Sequence, residues 1–213
     1  MTSHYDDEAQ VEALKKWWQE NWMALAAGLV IGLGAIFGWE GWQKYRDGQD
    51  AQASQIYEDM KKAYSGNKAD EATRLGEKLL TEFESTPYAP AAALRMASAA
   101  VEANKLDEAG ARLSWIVANS GDEGLKQLAR LRQARVLWAQ NKGDEALKIL
   151  AGDAGGYAAL YEELRGDISL AKGDRSAARA SYEKALQAAA TDDRASRESL
   201  QRKLDDLTDV AQS

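Results

Sequence analysis

The 213-residue chain carries 27 Lys and Arg against 34 Asp and Glu, a net charge of −7 that repels phosphate backbones and argues against nucleic acid as a partner. Cysteine is absent, which excludes disulfides, thiol catalysis and cysteine-based metal sites; the single histidine, His4, cannot build a triad or a histidine metal cluster. Two prolines, two phenylalanines, no β-branched runs and an excess of strong helix formers predict an all-α fold.

Residues 1–20 read as an acidic tail, with Asp6, Asp7, Glu8, Glu12 and Glu20 against Lys15 and Lys16. The tail turns amphipathic at Val11, Leu14, Trp17 and Trp18 and leads into residues 21–39, NWMALAAGLVIGLGAIFGW, which hold no charge. As a helix this run spans roughly 28 Å, about the hydrocarbon thickness of a bilayer. Trp17, Trp18 and Trp22 precede it, and Trp39, Trp42 and Tyr45 follow, as interfacial anchors do. A buried core helix is rarely so long or so flanked. A cleaved signal would have a short basic start and small residues at its end, and neither is present. Residues 21–45 are therefore expected to form a retained single transmembrane helix with aromatic flanks, in contact with lipid.

Within the anchor, Ala24, Gly28 and Gly32 recur every four residues, and Gly34 and Gly38 repeat the spacing. Small residues so placed allow close helix packing in lipid, although glycine is also simply frequent in membrane helices. The string Gly32-x-Gly34-x-x-x-Gly38 is no phosphate loop, which must follow a strand and face water. Orientation is not readable from charge. Lys15 and Lys16 before the anchor balance Lys44 and Arg46 after it.

Residues 46–213 are long enough for one domain with a real core. Four basic and six acidic residues lie in the first 46, leaving 23 and 28 in residues 47–213, so this part is acidic too. The periodicity predicts helices at about 49–65, 68–84, 88–103, 106–119, 122–140, 144–151, 156–171, 174–190 and 192–210. Turn signals separate them: Ser65-Gly66-Asn67, Ser85-Thr86-Pro87, Ala103-Asn104-Lys105, Ser120-Gly121-Asp122, Asn141-Lys142-Gly143 and Lys172-Gly173.

The turns repeat. Asn67-Lys68-Ala69-Asp70-Glu71-Ala72 is echoed at Asn104-Lys105-Leu106-Asp107-Glu108-Ala109 and at Asn141-Lys142-Gly143-Asp144-Glu145-Ala146, 37 residues apart each time. Aligning Asp174 with these aspartates gives a fourth copy after an interval of 30. Each Asp is expected to cap a new helix, and each preceding Asn or Gly to end the helix before it in a left-handed conformation. A period near 34 built from helix pairs marks a tetratricopeptide-like solenoid. Gly166 and Ala178 are expected to let two helices pack closely with Tyr182 between repeats, and the last helix to act as a cap.

No constellation for chemistry is apparent, and no catalytic, cofactor-binding or metal-binding residues are expected. Asp205-Asp206 and Tyr161-Glu162-Glu163 read as solvated helix faces. Asp192-Asp193 reads as a helix cap, and residues 152–156 (GDAGG) lack the Lys-Ser/Thr ending of a phosphate loop. Trp115 and Trp138 lie at apolar helical spacing; core packing is the first reading, a peptide-contacting groove the second.

The acidic tail, Gln10-Val11-Glu12-Ala13-Leu14-Lys15-Lys16-Trp17-Trp18 and an anchor ending Gly38-Trp39-x-x-Trp42 together resemble the YfgM family, ancillary subunits of the SecYEG translocon. The resemblance continues through Leu131-Arg132-x-Ala134-Arg135-Val136, Leu164-Arg165-Gly166-Asp167 and Lys172-Gly173-Asp174-x-x-Ala177-Ala178-Arg179. It implies a non-enzymatic, single-pass protein of the Gram-negative inner membrane, with a cytoplasmic N-terminus and a periplasmic tetratricopeptide-like domain. It further implies association with SecYEG and the periplasmic prolyl isomerase PpiD, transfer of emerging secreted proteins to periplasmic chaperones, and a link to an envelope-stress regulator. A membrane-anchored repeat scaffold for another envelope assembly, in biogenesis or division, is the competing reading.

Overall fold

The computed structural model describes the backbone of residues 3–209 and the side chains of residues 11–207. The side chains of His4, Asp6, Asp7 and Glu8, and the helix end expected at Val210, lie outside the described residues. Among the described residues there is no strand. The helices are α1 (Ser3–Ser65), α2 (Ala69–Glu82), α3 (Tyr88–Glu102), α4 (Leu106–Asn119), α5 (Glu123–Ala139), α6 (Gly143–Leu150), a short 3-10 turn (Gly155–Tyr157), α7 (Ala158–Ala171), α8 (Arg175–Ala188) and α9 (Arg194–Asp209). The sequence placed a helix start near residue 49, but α1 runs through it without a break. Gly48 alone costs only about 1 kcal/mol in a helix interior, and no proline or capping turn stands there to stop the helix.

Two units divide the chain, 1–52 and 53–213. In the first, none of the described side chains is buried. In the second, the packing passes along a row of helix pairs. A first core joins the end of α1 to α2–α5 through Met60, Leu79, Phe83, Met96, Leu113 and Ile116. Tyr161, Leu164 and Ile168 of α7 meet Leu131 of α5 and Leu150 of α6 in a second core. A third joins Tyr182 of α8 to Leu200, Leu204 and Leu207 of α9. The α9 leucines all face inward, as a capping helix requires. Helix α3 is buried through alanines (Ala89, Ala92, Ala93, Ala97 and Ala100), whose small side chains let its neighbours approach while keeping helix propensity high.

The repeated turns share one backbone geometry. Asn67, Asn104, Asn141 and Gly173 all have positive φ (58°, 57°, 62° and 84°). After each, the next N–H donates back to a carbonyl five residues earlier: Lys68 to Ala63 (2.9 Å), Lys105 to Ala100 (2.8 Å), Lys142 to Leu137 (2.8 Å) and Asp174 to Ser169 (3.0 Å). This is the helix ending that a left-handed residue permits, and asparagine tolerates it because its short polar side chain lowers the cost.

The expected capping role of Asp70, Asp107 and Asp144 is corrected. The cap positions belong to Lys68, Lys105 and Lys142, which offer no side-chain acceptor, and the aspartates lie two positions further on, as the second residue of each helix. There each carboxylate still sits at the positive end of the helix dipole. The fourth copy is offset by two residues, because Gly173 takes the place of Asn141, 32 positions on, while the aspartates are 30 apart. Asp174 thereby falls on the cap position itself and accepts from the Ala177 N–H at 2.9 Å. Asp122 caps α5 through Leu125 (3.0 Å), and Asp193 accepts from Ser196 (3.1 Å) at the start of α9.

Candidate functional site

The anchor presents its residues outward. Trp17, Trp18, Trp22, Trp39 and Trp42 are each about half exposed or more, and the apolar window between them has none of its area buried against protein. An uncharged helix face left bare in this way needs an apolar cover from outside the chain. From Trp18 to Trp39 the helix rises about 31 Å, a length that matches the hydrocarbon thickness of a bilayer. Trp39 and Trp42 lie with ring centroids 5.4 Å apart, and the Arg46 guanidinium sits 4.8 Å from the Trp42 ring. Asn21, the first polar residue of the run, donates its amide to the Trp17 carbonyl at 2.8 Å, which lowers the cost of placing it near lipid. Ala24 is exposed, and a Cβ added at Gly28, Gly32, Gly34 or Gly38 would meet nothing within 4 Å.

In the second unit the structure brings together residues that are far apart in sequence. Lys203 of α9 donates to Glu163 (2.8 Å) and Asp167 (2.7 Å) of α7. The Tyr182 hydroxyl of α8 donates to the same Asp167 oxygen at 2.8 Å, and the Lys203 ammonium stands 5.4 Å from the Tyr182 ring. Burial works against the Lys203 charge, but the bonds to Asp167 and Glu163 outweigh it and hold the ammonium above the ordinary lysine value. Burial, then the bond to Asp167, push the Tyr182 phenol well above its usual range. These groups have saturated each other and cross-link three helices, so their arrangement is structural.

The solvated-face reading of Tyr161-Glu162-Glu163 is likewise corrected. Tyr161 is 1% exposed, with its hydroxyl donating to the Gln127 carbonyl at 2.8 Å, while Glu162 and Glu163 are partly covered. Asp205 and Asp206 are exposed, as expected. In the 152–156 loop, Gly155 has φ +45°, and a Cβ there would fall 2.3 Å from the Gln127 side chain. That amide donates to Asp153 at 3.2 Å, so the loop is a tight connector around one glutamine. Trp115 and Trp138 are half-buried against the first and second cores, in keeping with core packing; Trp115 also forms one wall of a surface cleft.

A second cleft, which the sequence did not disclose, lies where α3, α4 and α5 meet. Its volume is about 390 Å³; Leu113 and Val136 form the floor, and Val101, Arg132 and Arg135 the walls.

The chain matches the model of a tetratricopeptide repeat-like domain over residues 15–209. It is 35% identical to the ancillary SecYEG translocon subunit of Escherichia coli, over 98% of this chain and 100% of that protein. The ancillary SecYEG translocon subunit of Haemophilus influenzae is 32% identical, covering 88% of this chain and 92% of its own. That of Neisseria gonorrhoeae is 27% identical over 97% and 100%. No solved structure matches the chain significantly. With similarity running from the tail to α9, the chain belongs to the family of ancillary SecYEG translocon subunits, built on a tetratricopeptide repeat-like domain.

Proposed function

We propose that this protein is a non-catalytic adaptor of the bacterial inner membrane that associates with the SecYEG translocon and helps transfer secreted proteins to periplasmic chaperones. The observation that carries the reading is similarity to translocon subunits over the whole chain, anchor included, combined with an apolar helix bare of protein cover. On this reading the N-terminal tail is cytoplasmic and the repeat domain periplasmic. PpiD, emerging chains and an envelope-stress regulator would be further partners. The Ala24, Gly28, Gly32, Gly34 and Gly38 positions would face a partner helix: Ala24 is exposed, and a Cβ added at any of the four glycines meets nothing of this chain.

Co-purification from membranes in mild detergent tests the association: SecY should be recovered with the full chain. A scaffold for another envelope assembly would bring down different partners and no SecY. Gly28→Leu with Gly32→Leu should leave insertion intact and reduce SecY or PpiD recovery; unchanged recovery of both would move partner binding to the repeats. Protease access to a C-terminal tag from the periplasmic side tests the orientation, and cleavage only from the cytoplasmic side would reverse it.

A further inference from the structure

We propose that Trp39, Trp42 and Arg46, at the end of the anchor, form a seat for an anionic phospholipid, held by its headgroup phosphate. The inference rests on the reading of residues 21–45 as a bilayer-spanning helix and adds to it a preference for one class of lipid. The first observation is where the Arg46 charge stands. Its guanidinium lies 4.8 Å from the centre of the Trp42 ring, so the side chain folds back by one turn toward the uncharged run. The Trp39 ring lies 5.4 Å from that of Trp42 at an angle of 44°, which extends the same surface further toward the apolar segment. All three side chains are exposed, with Trp39 60% and Trp42 49% open. Among the described residues of the first unit, this is the one contact of a cation with a ring.

The second observation is the distribution of charge around the helix. At 3.6 residues per turn, positions 39, 42, 43 and 46 share an arc of about 100°, while Glu40, Lys44 and Asp47 lie outside it. Asp50 lies in the arc one turn beyond Arg46, but the guanidinium turns from it to the ring. Residues 40–50 hold Glu40, Asp47 and Asp50 against Lys44 and Arg46, so this stretch has no net positive field to gather anionic lipid. A preference must therefore come from direct contact. Guanidinium presents planar paired donors that fit two phosphate oxygens, and it is weakly enough hydrated to do so beside apolar surface. The face of Trp42 stabilises the cation from behind, and Trp39 offers its ring to the glycerol and first acyl carbons of the same lipid. Gln43, in the same arc, supplies an amide for the hydroxyls of a glycerol headgroup. A zwitterionic headgroup brings its own ammonium to the phosphate, in competition with Arg46.

The test uses the full chain carrying Trp17→Phe, Trp18→Phe and Trp22→Phe, reconstituted in phosphatidylcholine vesicles. Trp39 and Trp42 are then the only tryptophans beside the anchor, and Trp115 and Trp138 in the repeats give a constant background. Phosphatidylglycerol with brominated acyl chains replaces a rising fraction of the host lipid, and brominated phosphatidylcholine does so in a parallel series. The fluorescence lost to bromine measures which lipid stands against the two rings. Phosphatidylglycerol should quench as though bound about fivefold more tightly than phosphatidylcholine. Arg46→Gln should abolish that preference, and Trp42→Leu should abolish it as read from Trp39. Excess inorganic phosphate should leave the preference in place; its loss would assign the site to a free anion and overturn the proposal. Equal quenching by the two lipids, or a preference that survives either substitution, overturns the proposal and leaves the spanning helix standing. Absence of quenching by either lipid overturns the spanning reading itself, and the lipid seat with it.

Discussion

The ring of Tyr182 occupies the space that a side chain at Gly166 would need: a Cβ built on Gly166 falls 2.3 Å from Tyr182 Cε1 and 2.5 Å from Cδ1. The ring cannot retreat easily. It is 1% exposed, and its hydroxyl is tied to Asp167 at 2.8 Å. Gly166→Ala should therefore cost about 1–3 kcal/mol through overpacking, and Gly166→Leu more. Chemical denaturation followed by circular dichroism measures this directly. Loss of stability no larger than that at Gly110, where an added Cβ meets nothing within 4 Å, would show that α7 and α8 can slide apart.

Asn104 ends α3 with φ 57°. Alanine has no local hydrogen bond to offset that conformation, whereas glycine adopts it freely. Asn104→Ala should destabilise by about 1–2 kcal/mol, and Asn104→Gly should be close to neutral. The same contrast is expected at Asn67 and Asn141, because the three turns share one geometry.

Asp174 titrates below the ordinary carboxylate value, first because the Ala177 N–H donates to it and then through the Ser176 hydroxyl. A depressed carboxylate contributes stability above its unfolded value of 3.8 and loses it as pH falls through the lower folded value. Asn caps nearly as well but does not titrate there. Thermal melts of wild type and Asp174→Asn should thus differ most near neutral pH and converge below about pH 4. A gap that stays constant with pH would assign the stabilisation to geometry alone.

Lys203→Met keeps the aliphatic stem and removes both bonds to α7, leaving Glu163 and Asp167 without their cation. The expected cost is about 1–3 kcal/mol, with faster amide exchange in α9 than in α3. Lys203 and Tyr182 both titrate above their unfolded values, so each contributes stability at lower pH that is lost as pH rises past about 10. Alkaline unfolding should accordingly be less steep in the variant.

Sequence pattern resolved what depends on neighbours along the chain. The left-handed asparagines, the helix ends and the Gly166–Tyr182 approach were all legible, because turn chemistry and small residues act locally. Capping by Asp70, Asp107 and Asp144 was misplaced by two positions, since the motif repeats but does not state which residue carries the first helical φ. The Lys203 bonds reach across 40 and 36 residues, and periodicity says which face is polar without saying what lies opposite it. The cleft between α3, α4 and α5 was hidden for a related reason. Val101 and Arg135 sit on different helices, and only the stacking of α3 on α4 and α4 on α5 makes them walls of one space.

The packing of the second unit has a consequence for how the protein comes into being. From α2 onward the principal helix contacts are between successive elements, and the longest reach among them is from α5 to α7. No helix waits for the far end of the chain to find its place. During synthesis, each new hairpin can therefore settle on one already formed, and the domain can grow outward in the order of its translation. Chains dominated by near-neighbour contacts also fold quickly, which shortens the time in which bare leucines are open to aggregation.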